Sequence, residues 1–370
     1  MTSVAATKSP PEPFAFIPGT DTTGQPIFSV LVKRSYRIED RQHLCRIDTK
    51  SELRKIDKYY DGGDPLTTTV QYENETAGFK PLTDVVVIGN AHTPEGIECL
   101  EMDVCVEIGH VMKVIRIIGD RRCQYRKGMD PRIGEPLPFT TMPIRYELAY
   151  GGKDEKSNPK SPFFYPRNYQ GRGIVIKNRP ELVDDLQLPN IEDPADLLSP
   201  DRIILDKPER WVDQPMPQGF GWYSRTWYPR SIYAGAVPGF MDIDCLTAEE
   251  KLGLVPANHV KLARRFKLPM FDIKFNNGAS PGLALPYLRG DEQLRIVNMT
   301  KVGDLCFKLP GEKPSAAIDI GFGSNTPDPV MQTVCVRTED LEVDIIWSFS
   351  VPYPGISWLS NMKKLKIEVV

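Results

Sequence analysis

Proline limits this chain more than any other residue: 34 of its 370 residues are proline, 16 of them between residues 128 and 240. The overall share is about 9%, against a usual ~5%. Proline removes a backbone donor and breaks helix interiors and central strands. Long helices and continuous sheet are therefore excluded from residues 128–240, and what remains is short elements joined by turns. Loops that long inside a compact protein are usually functional or act as linkers.

On either side of this stretch the pattern is strand. Val30, Val32, Tyr36 and Ile38 alternate with Ser29, Lys33, Ser35 and Arg37, a period of two with one apolar face. The clearest run places Leu100, Met102, Val104, Val106 and Ile108 on one side and Glu101, Asp103, Cys105 and Glu107 on the other. Residues 111–118 follow after Gly109-His110, which predicts a hairpin. Residues 85–89 read as a short buried strand, and strands return at 293–299, 304–309 and 330–337. A last run puts Leu341, Val343, Ile345, Trp347, Phe349 and Val351 on one face. Val104, Val106, Ile345 and Trp347 are therefore expected inside a sheet interface. The predicted fold is mainly β with a few short helices: packed antiparallel sheets, sandwich- or barrel-like, linked by long Pro-rich loops. Thr247-Ala248-Glu249-Glu250 fits a capping box, and residues 258–266 suit a second short helix. The expected parts are a flexible tail at 1–24, a β-rich part at 25–127, a Pro-rich middle at 128–245, and a C-terminal part at 246–370.

The charges nearly cancel, 46 Lys plus Arg against 49 Asp plus Glu, which argues against nucleic acid as partner. They are unevenly placed. Residues 113–132 carry seven basic and two acidic side chains, and residues 181–213 three basic and ten acidic. These read either as two solvated loop faces or as a charged docking surface. Residues 1–20 lack the apolar core of a secretory signal, and no apolar run approaches a membrane span. The seven cysteines form no CxxC pair, so reduced thiols and a cytoplasmic location are expected.

Catalytic patterns are scarce. No Gly-x-Ser-x-Gly elbow, zinc-ligand spacing, EF-hand loop or phosphate-binding glycine loop occurs, and His43, His92, His110 and His259 are widely spread. The expectation is a non-enzyme without metal or cofactor. An enzyme acting on carbohydrate stays open, because two suitably separated carboxylates suffice for glycoside hydrolysis. A toxin-immunity type of binding protein is a third class. Glycine, proline and large aromatics recur together in the middle: Tyr150-Gly151-Gly152, residues 168–173, residues 219–222 and residues 227–230. Trp, Tyr and Arg dominate interface energetics, so Tyr150, Arg172, Trp222, Trp227 and Arg230 are the candidate partner-binding residues. Replacing Trp227 and Arg230 together by Ala is expected to abolish partner binding and leave the fold intact.

The order of the motifs resembles a bacterial family of uncharacterised domains found beside type VI secretion genes. The resemblance rests on FSVLVKRSY at 28–36, PLTDVVVIGNA at 81–91, VIRIIGDR at 114–121 and PFTTMPIRYELAYGG at 138–152. It continues through residues 168–173, 217–221, 227–230 and 271–298, the last including YLRGDE at 287–292. It covers roughly residues 25–350. It implies an adaptor or chaperone that binds an effector with a PAAR tip and helps load it onto the secretion spike protein. Among the motif positions, Gly119, Gly151, Gly152, Gly171, Gly173, Gly290 and Glu292 read as structural. Asp84 and Arg121 read either as a pair joining neighbouring strands or as docking residues. Two departures stand out: Tyr169 replaces the usual proline of Asn-Pro-x-Gly-x-Gly, and residues 235–240 replace the usual Gly-Thr-Tyr-Asp segment.

Overall fold

The structure, a computed structural model, describes residues 14–23, 25–47, 52–126, 128–177, 179–234, 272–321, 323–352 and 366–369. The helices expected after Thr247 and over 258–266, and the departure at 235–240, lie outside the described residues. Where the described residues are helical they form one α-turn, Arg230–Tyr233, and short 3-10 turns.

Two sheets carry the fold, and neither closes into a barrel. The first has the order Phe14–Thr20, Pro26–Glu39, Glu342–Pro352, Val330–Arg337, Thr83–Ile88, Ala284–Leu285, with His43–Arg46 also on Pro26–Glu39. Its pairs are antiparallel except Val330–Arg337 with Thr83–Ile88, which is parallel. The second has the order Ile191–Glu192, Val111–Ile118, Glu101–Ile108, Gln293–Val297, Leu305–Lys308, antiparallel throughout. The hairpin expected at Gly109-His110 forms, pairing Ile108 with Val111.

One apolar cluster fills the space between the sheets. Val30, Val32, Val85, Val87, Ile345 and Trp347 of the first sheet pack with Val104, Val106, Ile115 and Ile296 of the second. Val104, Val106, Ile345 and Trp347 are all essentially inaccessible to solvent. The outer face of the second sheet is polar and laced with ion pairs such as Arg116–Glu101 and Arg295–Glu107, so its strands alternate as a half-buried sheet should.

The first sheet is different, because its outer face is covered too. Lys33, Ser35 and Asp344 alternate with core residues yet are buried. Lys33 Nζ lies 3.0 Å from Glu75 and 3.2 Å from Asp344, while Arg337 binds both Asp344 and Glu342. Burial opposes the charge on Asp344, but Lys33 and Arg337 outweigh it and hold its carboxyl below the usual range. Residues 52–80 thus lie over this face by ionic pairing as well as by apolar packing, with Tyr59, Val70 and Tyr72 in one cluster with Val86, Ile88 and Cys335.

The linear parts interweave. Phe14–Thr20, inside the stretch expected as a tail, is an edge strand. The strands of each sheet come from both sides of the Pro-rich middle. The middle itself has its own core of Tyr150, Tyr165, Ile174, Trp211 and Tyr228. The basic stretch and the acidic stretch face each other: Arg121 pairs with Glu192 and Arg122 with Asp185, and Leu188 and Asp185 bond the backbone of Arg121 and Cys123.

Candidate functional site

Two of the four motif segments of the middle converge on one cleft of about 330 Å³, walled by Gly151, Gly152, Gly171, Gly173, Arg172 and Tyr169, with Leu66, Ile174 and Leu186 supplying apolar surface. Two adjacent chain segments form its floor. Tyr150–Gly151 runs parallel to Arg172–Gly173, and Asn168 ties them by donating to the Tyr146 and Tyr150 carbonyls. Gly152 and Gly173 have φ of 122° and 102°, a region in which side chains strain the backbone. Gly151 and Gly171 sit against Asn168 too closely for any side chain.

Large rings hold this floor in place. Tyr146, Tyr223 and Trp227 meet edge to face with centroids 5.1–5.7 Å apart. Tyr150, Tyr165, Trp211 and Tyr228 continue the contacts on the other side. Tyr169, at the position where a proline is usual, packs its ring edge-on to Trp227 and to the partly exposed Phe164, and bonds Thr226.

Of the five residues expected to meet a partner, four are interior. Tyr150, Trp222 and Trp227 are at most 3% exposed, and Trp227 donates to Gln170 Oε1. Arg230 is buried against Glu73 with Nη1 2.7 Å from Oε1, and it also donates to the Tyr223 and Phe275 carbonyls. The expectation that the Trp227 and Arg230 double replacement leaves the fold intact is therefore corrected: Trp227 belongs to the apolar cluster between the sheets, and Arg230 pins the middle to Glu73 in the 52–80 segment. Arg172 is the one of the five that lines the cleft. Its Nε donates to the Glu147 carbonyl and Nη1 to Asn190 Oδ1, and it makes no ion pair among the described residues. Burial pulls its pKa below the ordinary value.

The structural motif residues have local duties. Asp84 and Arg121 do not pair with each other. Asp84 binds Lys80 at 2.7 Å and accepts from Asn277 Nδ2 and the backbone of Gly278 and Ala279, whereas Arg121 holds Glu192. Gly119 lies against the Leu137 and Leu100 carbonyls. Glu292 accepts from the Arg289 and Gly290 amides and closes the turn under Trp347.

Two features escaped the sequence reading. A second cleft of about 360 Å³ opens at Lys33, Arg37, Arg54, Arg337, Glu342 and Asp344, and its Glu342 and Asp344 carboxylates are both bound to Arg337. The other is Lys113, on the core-facing side of its strand. Its Nζ bonds Ser280 Oγ at 2.5 Å and the Pro281 carbonyl at 2.8 Å, and Tyr146 donates to the same hydroxyl. Burial pushes the Lys113 ammonium down from 10.5 to about 7, only weakly opposed by Asp193. The folded chain then binds fewer protons than the unfolded chain between pH ~7 and ~10.5, so this lysine costs stability below pH ~7 and the cost fades as pH rises through that window. Lys113→Met is expected to raise stability near neutral pH by about 1–3 kcal/mol and to lose the gain by pH ~10.5. Urea melts of both proteins at pH 6.5 and pH 10 measure it, and an equal difference at both pH values would contradict it.

No curated protein and no solved structure matches the chain. One family model does, described as an uncharacterized protein conserved in bacteria (DUF2169), and it matches residues 23–348. With this match running from the second strand of the first sheet almost to the end of its Glu342–Pro352 strand, the chain belongs to that bacterial family.

Proposed function

We propose that this chain is a non-enzymatic, cytoplasmic adaptor that binds an effector protein with a PAAR tip and helps load it onto a type VI secretion spike. The ordered motifs along residues 25–350 suggest the class of partner. The observation that supports binding over chemistry is the lining of the glycine-walled cleft, which contains no carboxylate, imidazole or thiol, while its Lys153 is paired with Glu155 on the rim and its Tyr169 phenol is bonded to Thr226. No nucleophile–base pair of the kind acid–base and nucleophilic catalysis use is therefore set up on its wall. The cleft offers shape, backbone polarity and a guanidinium on a floor held by buried rings, which is what rigid recognition uses.

A tagged copy of the full chain, expressed in its native bacterium and captured under mild conditions, is expected to enrich a PAAR-bearing protein over a tag-only control by mass spectrometry. Absence of any such protein from repeated captures would overturn the reading.

A further inference from the structure

We infer that the glycine-walled cleft takes a carboxylate from an extended segment of the partner protein, with Arg172 as its counter-ion; this rests on the adaptor reading above and names what that site recognises. The ionisable groups on the cleft wall besides the Tyr169 phenol are Lys153 and Arg172, and neither is an acid. Lys153 meets Glu155 at 3.2 Å on the exposed rim. Arg172 is anchored by its Nε and Nη1 to neutral oxygens and has no carboxylate partner among the described residues. Of the two carboxylates whose charge acts on it, Asp120 accepts from Asn190 Nδ2, and Glu147 spends both oxygens on the amide and hydroxyl of Thr69 and offers Arg172 its backbone carbonyl instead. A half-buried guanidinium oriented by two bonds, with no carboxylate in ion-pair contact among the described residues, can take one, since charge-assisted bonds to carboxylates are the strong ones.

The walls fit a peptide carrier for that carboxylate. Glycine positions let another backbone approach closely, and exposed Leu66 with Ile174 and Leu186 provides apolar surface for flanking side chains.

The probe is acetyl-Leu-Glu-Leu-amide, with acetyl-Leu-Gln-Leu-amide as its uncharged counterpart, titrated into the full chain labelled with 15N-glycine. The Glu peptide is expected to shift the Gly151, Gly152, Gly171 and Gly173 amide signals saturably, and the Gln peptide to bind about tenfold more weakly or not at all. Arg172→Gln should remove the difference between the two peptides. Because Arg172 also bonds Glu147 and Asn190, a second pair of variants sits on the exposed rim. Leu66→Glu should weaken the Glu peptide severalfold and Leu66→Lys strengthen it, both with an unchanged melting temperature. Equal binding of the two peptides, shifts confined to other glycines, or no saturation at millimolar peptide would overturn the inference. Capture of a PAAR protein without peptide discrimination would leave the adaptor reading standing and the carboxylate site rejected. Discrimination without such capture would reject the adaptor reading and keep the site.

Discussion

Arg230→Ala is expected to cost about 3–5 kcal/mol of folding stability, because it leaves the Glu73 carboxylate buried without its main counter-ion. Arg230 sits at the start of the Arg230–Tyr233 turn with both terminal nitrogens on Glu73, at 2.7 and 2.9 Å. Burial alone would raise the Glu73 pKa, but Arg230, with Arg225 behind it, holds it below the usual range. Arg225 is partly exposed and reaches Glu73 at 3.1 Å, so it recovers only part of the loss. Glu73→Gln in the same background should restore part of the stability, since a neutral amide is far cheaper to bury than a charge. Urea denaturation of the wild type, the single variant and the pair measures this. A single variant within 1 kcal/mol of wild type would mean that the pair does not tie the middle to the 52–80 segment.

The same pair explains why the sequence was only partly legible. The hairpin at residues 101–118 and the strands at 330–337 and 342–352 were readable because one apolar face per strand produces a period of two. The cover over the other face of the first sheet, with its buried ion pairs, was not. Lys33 and Asp344 look like solvent-facing polar residues, and nothing local says that Glu75, 42 residues along, will bury Lys33. Trp227 and Arg230 read as binding residues because large rings and guanidinia in Pro-rich loops often are. Their burial depends on Glu73, Tyr146 and Tyr223, contacts set by the tertiary fold. Arg172 lies in the same class by sequence, and only the tertiary fold, which sets Asp120 on Asn190 and Glu147 on Thr69, leaves it without a carboxylate in ion-pair contact.

Val104→Asp is expected to be at least as damaging, at several kcal/mol or outright failure to fold. Val104 lies in Glu101–Ile108, which is paired on both edges, and it faces the first sheet with no accessible surface. The cluster around it is apolar, and Lys113, two positions from its partner Ile115 on the paired strand, is engaged by Ser280 and Pro281, so the new carboxyl must stay charged at great cost or bind a proton. Asp103→Asn, one position away on the outer face and paired with Arg116 in solvent, is the matched control and should cost about 1 kcal/mol or less. Melting curves that place the two variants together would show that the strand faces the other way.

The pairing of Pro26–Glu39 with Glu342–Pro352 has a consequence for synthesis. The second strand of the chain leaves the ribosome about 300 residues before its long partner, an interval of roughly 15–60 s at ordinary elongation rates. During that time its inner edge has no neighbour, although the second sheet that its core-side row of Phe28, Val30, Val32 and Tyr36 faces is complete in sequence at Lys308. Closing this sheet requires nearly the whole chain, so its formation is dominated by contacts distant in sequence, the kind that slow folding. A nascent chain stalled before residue 342 therefore presents a long apolar strand open on one edge, the state in which such strands pair with the wrong neighbour.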